Sequence, residues 1–227
     1  MFQLPLDIHL DDSARLDNFY FGDNAQLVKR LEDLKDNNQG FYFVWGNQTV
    51  GKSHLAQAIC RELSEQQKVA VYIPLENQDL RPEVLDGLEF ADLVCLDAFE
   101  SIAGDAEWEV AVFDLFNRIK LSEKNLLIFS ATPIASLSVA LADLRSRLTS
   151  MEVYKLNSLS PDNQIDCIKT LGQHRGLQIS DEVASFLMVR TERNVAKIAD
   201  MIEKLDRQSL THQRKITIPF VKQVLSI

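Results

Sequence analysis

The sequence predicts an α/β protein: a parallel five-stranded sheet flanked by helices, followed by a small all-helical region. Three observations lead there. Residues 46–53 read G-N-Q-T-V-G-K-S, the G-x-x-x-x-G-K-[ST] pattern, placed between an apolar run and a helical period. Further short apolar, β-branched and aromatic runs alternate with helical patterns as far as Leu156. From Ser160 onward the strand-like runs stop and helical periods alone remain. Alternating strands and helices imply a parallel sheet covered on both faces, with a ligand site at the carboxyl ends of its strands.

In chain order, Ala25 to Lys35 reads as a helix with Leu27, Leu31 and Leu34 on one stripe and Asn24 as its cap. The first strand, Gly40 to Trp45, runs into the glycine-rich loop. A helix from Lys52 to about Gln66 follows, with Leu55, Ile59 and Leu63 at four-residue spacing. Val69–Ile73 is a second strand, Pro82–Leu88 a short helix and Leu93–Asp97 a third strand. Asp105 to Leu121 is a helix whose inner side carries Trp108, Val112, Leu115, Phe116 and Ile119. Leu126–Ser130 is a fourth strand stopped by Pro133. Leu141 to Leu148 bears Arg145 and Arg147, and Met151–Leu156 is a fifth strand. A helix opens at Ser160, a cap followed by Pro161 at the first helical position. Helices over Asp181–Thr191, Asn194–Ser209 and Pro219–Leu225 complete the chain. The expected organisation is an N-terminal peptide over 1–10, a base domain over 11–157 and a helical domain over 158–227.

Composition narrows the function classes. A hydrophobic share of 46% argues against disorder. No apolar run approaches the ~20 residues of a membrane span, and the N-terminus lacks a signal-peptide pattern. Three scattered cysteines, Cys60, Cys95 and Cys167, suggest buried reduced thiols and a cytoplasmic setting. A net charge of −9 argues against strong DNA binding by the chain itself, because that depends on neutralising phosphates with dense Lys and Arg.

The loop carries the chemistry. Gly46, Asn47, Gln48, Thr49, Val50 and Gly51 would curl their amides toward phosphate oxygens, and the helix N-terminus adds partial positive charge. Lys52 would reach the β- and γ-phosphates, and the Ser53 hydroxyl would ligate Mg²⁺. Asp97, ending four apolar residues, has the Walker B position from which a carboxylate holds Mg²⁺ through water.

Together with the helical C-terminal region, these motifs resemble the AAA+ ATPases. Within them the chain is similar to the DnaA-related proteins, above all the Hda-type regulators of DnaA. Four stretches carry the likeness: Asp17-Asn18-Phe19 with Gly22-Asp23-Asn24; Ile102-Ala103-Gly104-Asp105 through Trp108-Glu109 and Phe113 to Arg118; Asp143-Leu144 with Ser146-Arg147-Leu148; and His212 through Lys222. The resemblance implies an adenine nucleotide, ADP or ATP, with Mg²⁺, and adds His54 and Asn24 to the nucleotide-binding set. It implies that Gln3-Leu4-Pro5-Leu6 binds the DNA polymerase III β sliding clamp. It implies further that Arg147 is an arginine finger offered to a neighbouring subunit's nucleotide; Arg145 reads as a surface salt-bridge residue. The related initiators carry a helix-turn-helix domain after the lid, for which this sequence leaves no room before Ile227. DNA is therefore expected only through the clamp, with self-association as a further possibility and no membrane partner.

Three departures temper the ATPase expectation. Where AAA+ hydrolases place an acid after the Walker B Asp, Ala98 stands, with Phe99 and Glu100 beyond. The sensor position after the fourth strand falls on Ala131, beside Ser130 and Thr132. The lid sensor Arg falls on Ala196, with Arg193 and Lys197 nearby. The expectation is a nucleotide-binding negative regulator of replication initiation that stimulates hydrolysis of DnaA-bound ATP. The alternatives are an autonomous AAA+ ATPase that remodels or loads a partner, and a clamp-bound adaptor without a finger.

Overall fold

In the computed structural model the apolar runs become strands β1 (Phe41–Trp45), β2 (Ala70–Pro74), β3 (Leu93–Asp97), β4 (Asn125–Ser130) and β5 (Glu152–Lys155). They form one parallel sheet in the order β2-β3-β4-β1-β5. The structure describes residues 14–16, 19, 22–34, 39–190, 195–212 and 215–226. β1 and β3, which end in the glycine-rich loop and in Asp97, are separated only by β4.

The period-two alternation of the strands sorts side chains between two cores. Tyr42, Val44, Cys95, Leu127 and Phe129 face one side, where helices α1 (Ala25–Asp33) and α2 (Lys52–Glu65) pack. Phe43, Ile73, Val94, Leu96, Leu126 and Ile128 face the other, covered by α3 (Ala106–Leu121) and α4 (Ala142–Thr149). The first core runs on through Leu156 and Leu159 into the C-terminal helices α5 (Pro161–His174), α6 (Asp181–Met188), α7 (Val195–His212) and α8 (Ile218–Leu225). Each fully buried Leu, Ile or Phe there contributes about 2 kcal/mol, so this shared core is what holds the C-terminal helices against the sheet.

Most element boundaries match the sequence pattern within a few residues. Ser160 caps α5 by accepting from the Asn163 amide, and Asp105 caps α3 by accepting from Glu107 and Trp108. One element differs. The expected helix over Pro82–Leu88 is two 3-10 turns, Pro82–Leu85 and Leu88–Phe90. Asp86 is extended and Gly87 takes φ +72°, a left-handed conformation that interrupts any continuous helix. The three cysteines are buried and unbridged, and burial pushes the Cys167 thiol up to about 12. Among the described residues no helix is long and apolar enough to cross a membrane.

Candidate functional site

The glycine-rich loop leaves β1 at the carboxyl edge of the sheet. Its first residue is pinned: the Gly46 amide donates to the Ser130 carbonyl at 3.1 Å, at the end of β4. A Cβ at Gly46 would lie 2.5 Å from the Leu156 carbonyl oxygen and 3.0 Å from Val50 Cγ2, so only glycine fits. Gly51 stands at the N-cap of α2 with φ +94° and offers no capping side chain. The first-turn amides of α2 are therefore left to an incoming group, as an anion site at a helix N-terminus requires.

Lys52 is buried, and its ammonium donates to the carbonyls of Gly46 and Asn47 at 2.8 Å each. Burial lowers its pKa, while the carboxylates of Glu100 and Asp97 oppose that shift. Asn47, Gln48, Thr49 and Ser53 are exposed around it, Val50 and His54 are buried, and the His54 ring lies 5.9 Å from that of Phe19. This chain thus keeps the glycines, the lysine and the open helix terminus that a nucleotide's phosphates need.

Asp97 ends β3 and is buried, as the Walker B pattern requires. Its Oδ1 accepts from the Ala98 amide at 2.9 Å, and Oδ2 accepts from the Tyr72 hydroxyl at 2.8 Å. Burial and the adjacent carboxylate push the Tyr72 phenol far above its usual range, which keeps it a hydrogen-bond donor. Among the described residues no cluster of three His, Cys, Asp or Glu side chains could hold a metal unaided. Mg²⁺ would fit here only as phosphate-bound ions do, with the Ser53 hydroxyl and Asp97, through water, as its protein partners.

The departures resolve unevenly. Ala98 adopts φ +57°, a left-handed conformation rare outside glycine, and turns the chain into a 3-10 turn over Phe99–Ser101. That kink brings Glu100 back toward the loop, where its Oε2 accepts from the Ala131 amide at 2.8 Å. An acidic group thus stands beside Ala131, where the sequence led one to expect a sensor residue, although Ala98 and Ala131 carry no acid themselves. The sequence places Glu100 beyond the expected acid position and gives it no role, because its place depends on the unusual Ala98 backbone. Tyr72 was missed as well; its only signal is a hydroxyl on the strand next to the Walker B strand.

Asn24 was expected as a helix cap and nucleotide contact. It lies within a 3-10 turn, Gly22–Asn24, that enters α1. Its carboxamide nitrogen donates to the Asn157 carbonyl at 3.2 Å, and its oxygen accepts from the Asn157 amide at 2.8 Å. Asn157 follows the Leu156 carbonyl that abuts Gly46, so Asn24 braces the wall behind the loop.

Arg147 does not join this site. It sits on α4, whose Leu144 and Leu148 belong to the core on the sheet face opposite α2. Its guanidinium rests on the rings of Phe113 and Phe116 of α3, 5.9 Å and 5.7 Å from their centroids. Among the described residues Arg145 makes no salt bridge, contrary to expectation; its guanidinium donates to the Val139 carbonyl, just before α4. The peptide Gln3-Leu4-Pro5-Leu6, Arg193 and Asn194 lie outside the described residues, as does the side chain of Ala196, whereas Lys197 is exposed on α7.

Residues 162–225, the C-terminal helices, match the family described as Hda, lid domain. An uncharacterized protein of Haemophilus influenzae is 45% identical over 228 residues, covering 99% of each chain. Domain III of the replication initiation protein DnaA from Thermotoga maritima has a TM-score of 0.75 at 19% identity, covering 96% of this chain and 98% of that one. AMPPCP-bound DnaA from Aquifex aeolicus gives 0.73 at 21%, covering 91% and 71%. The Thermotoga maritima RuvB Holliday junction branch migration motor gives 0.67 at 15%, covering 94% and 71%. At such identities the structural likenesses speak for the fold alone: the parallel sheet and helices of AAA+ proteins. This chain therefore belongs to one family with the Haemophilus influenzae protein; its C-terminal helices match the Hda lid, and its fold is the one seen in DnaA domain III.

Proposed function

We propose that this protein is a negative regulator of replication initiation that stimulates hydrolysis of ATP bound to DnaA by supplying Arg147. The observation that carries this reading is the placement of Arg147, half-buried on aromatic rings and on the sheet face away from its own P-loop helix. An arginine so placed serves a nucleotide held by another subunit. Its planar, permanently charged guanidinium would neutralise charge spreading over the γ-phosphate oxygens, an effect worth about 10³–10⁵ in rate.

Its own loop would hold ADP or ATP. Lys52 would exchange the Gly46 and Asn47 carbonyls for phosphate oxygens, the loop amides and Ser53 would line the remaining phosphate edges, and Asp97 would orient Mg²⁺-bound water. The bound nucleotide would supply the negative charge that orders the loop. With Ala98 in the acid position, turnover by this chain alone is expected to be slow. The N-terminal Gln3-Leu4-Pro5-Leu6 would dock on the DNA-loaded β sliding clamp, bringing the acidic chain to DNA indirectly and to the nucleoid.

The test is ATP hydrolysis by DnaA with and without this protein and DNA-loaded clamp. Stimulation is expected with the native chain, and its loss with Arg147→Ala. Intact stimulation by that variant would remove the finger and leave a clamp-bound adaptor. Deleting residues 1–6 should abolish clamp binding. A second reading, an autonomous AAA+ ATPase, draws on Glu100 beside Lys52, and substantial ATP turnover by the purified chain would favour it.

A further inference from the structure

Glu109 is a carboxylate with almost no exposure on the inner side of α3, and the reading above gives it no task. Both of its oxygens point at the chain entering α4. Oε1 accepts from the amides of Gly104 at 2.8 Å and Ala140 at 2.9 Å. Oε2 accepts from Ala140 at 3.0 Å and from Leu141 at 2.7 Å. Leu141 is the N-cap of α4, and Glu109 accepts from its amide as the Glu of a capping box does, but from another helix. The Arg145 guanidinium closes the same turn from the other side by donating to the Val139 carbonyl. Glu109 also shares its stripe of α3 with Phe113 and Phe116, at i, i+4 and i+7, the rings on which Arg147 rests.

We propose that Glu109 is a positioning residue for Arg147: it fixes the entry of α4 and thereby the point at which the guanidinium is offered to the partner's ATP. This inference rests on the reading of Arg147 as an arginine acting in trans. The physical case is one of leverage. α4 has only eight residues and cannot hold its own geometry, since helices that short are marginal without tertiary anchors. Leu144 and Leu148 bury its inner face, but apolar contacts tolerate sliding. Directed bonds from the Ala140 and Leu141 amides to one charged group do not. Arg147 follows Leu141 by six residues, less than two helical turns, so a shift at the entry carries directly to the guanidinium. A misplacement of about 1 Å can cost about 10²-fold in rate, which makes such a strap worth its burial.

The experiment uses the full chain, DnaA and DNA-loaded clamp, and titrates this protein to read the maximal stimulated rate separately from the concentration giving half of it. Glu109→Gln keeps the side-chain shape but turns an amide nitrogen toward one of the donors. Its maximal rate should fall about tenfold, with the half-maximal concentration and ADP affinity each unchanged within about twofold. A double-mutant cycle with Arg147→Lys should show strong non-additivity, the two substitutions together costing much less than the product of their separate effects. An unchanged maximal rate in a folded Glu109→Gln would overturn the proposal, as would full additivity with Arg147→Lys. If Glu109→Gln does not fold, Arg145→Ala decides, because that exposed side chain holds the same turn from outside; a two- to threefold loss of maximal rate is expected, and no loss overturns. Stimulation that survives Arg147→Ala removes the underlying reading. Stimulation lost with Arg147→Ala but retained by both the Glu109 and Arg145 variants removes only this inference.

Discussion

Asn24 and Asn157, 133 positions apart, are joined by two reciprocal hydrogen bonds between one carboxamide and one peptide unit. The pairing ties the entry of α1 to the segment that links β5 with α5. Because Leu156 abuts Gly46, it also stiffens the back wall of the phosphate loop.

Asn24→Ala should therefore act at two places. Losing both bonds leaves the Asn157 amide and carbonyl to find water, at a cost of about 1–3 kcal/mol in denaturant unfolding. Amide exchange at Asn157 should speed up by the same factor. Affinity for ADP, read by calorimetry, should fall with it because the wall behind Gly46 loosens. If affinity falls while stability does not, Asn24 contacts the nucleotide directly.

Gly46→Ala tests the loop from its other side. The new methyl would meet the Leu156 backbone oxygen at 2.5 Å, and backbone cannot swing away as a flexible side-chain tip can. Either the loop or the 156–157 segment must shift. Overpacking of this kind costs about 1–3 kcal/mol, and phosphate binding should be lost beyond that cost because the Gly46 amide leaves Ser130. Thermal unfolding with and without ADP separates the two effects: the native chain should gain stability with ligand and the variant should not.

These sites show where sequence reading succeeds and where it stops. The strands, α2 and the loop were legible because each has a local signature: apolar runs, four-residue spacing, fixed glycines. The Ser160-Pro161 start of α5 was legible for the same reason. What could not be read is what depends on a partner distant in sequence. Asn24 looks like a cap until Asn157 is folded onto it. Glu109 looks like one more charge on a helix until the 139–141 turn is laid across it. Glu100 reaches the Ala131 amide because Ala98 takes a left-handed backbone that its residue type does not announce.

Glu109 also predicts a pH dependence. Burial alone would raise its pKa, but the amides of Leu141, Ala140 and Gly104, helped by Arg145, outweigh burial and hold the carboxyl below its ordinary 4.5. A carboxyl depressed on folding stabilises the protein fully above its unfolded value, and that contribution is lost as pH falls through the folded one. Stability of the native chain should thus fall with pH below about 4.5, and the fall should be shallower in Glu109→Gln, which keeps only the contribution of other depressed carboxyls such as Asp92. Denaturant unfolding across that acid range, for both proteins, measures the difference.

The Tyr72–Asp97 bond yields the last expectation. Asp97 is buried at the carboxyl edge of β3, and two donors, the Ala98 amide and the Tyr72 hydroxyl, offset its loss of water. Tyr72→Phe removes one of them without changing the ring that packs against the first core. A hydrogen bond to a buried charge is worth about 1.5–3 kcal/mol, and urea unfolding at neutral pH should show a loss of that size. The carboxylate would then be held on one oxygen only. Its proposed Mg²⁺-bound water should be less well oriented, so the gain in ADP affinity on adding Mg²⁺ should shrink relative to the native chain. A loss of stability with no change in that gain would assign Tyr72 to folding and exclude it from orienting the Walker B carboxylate.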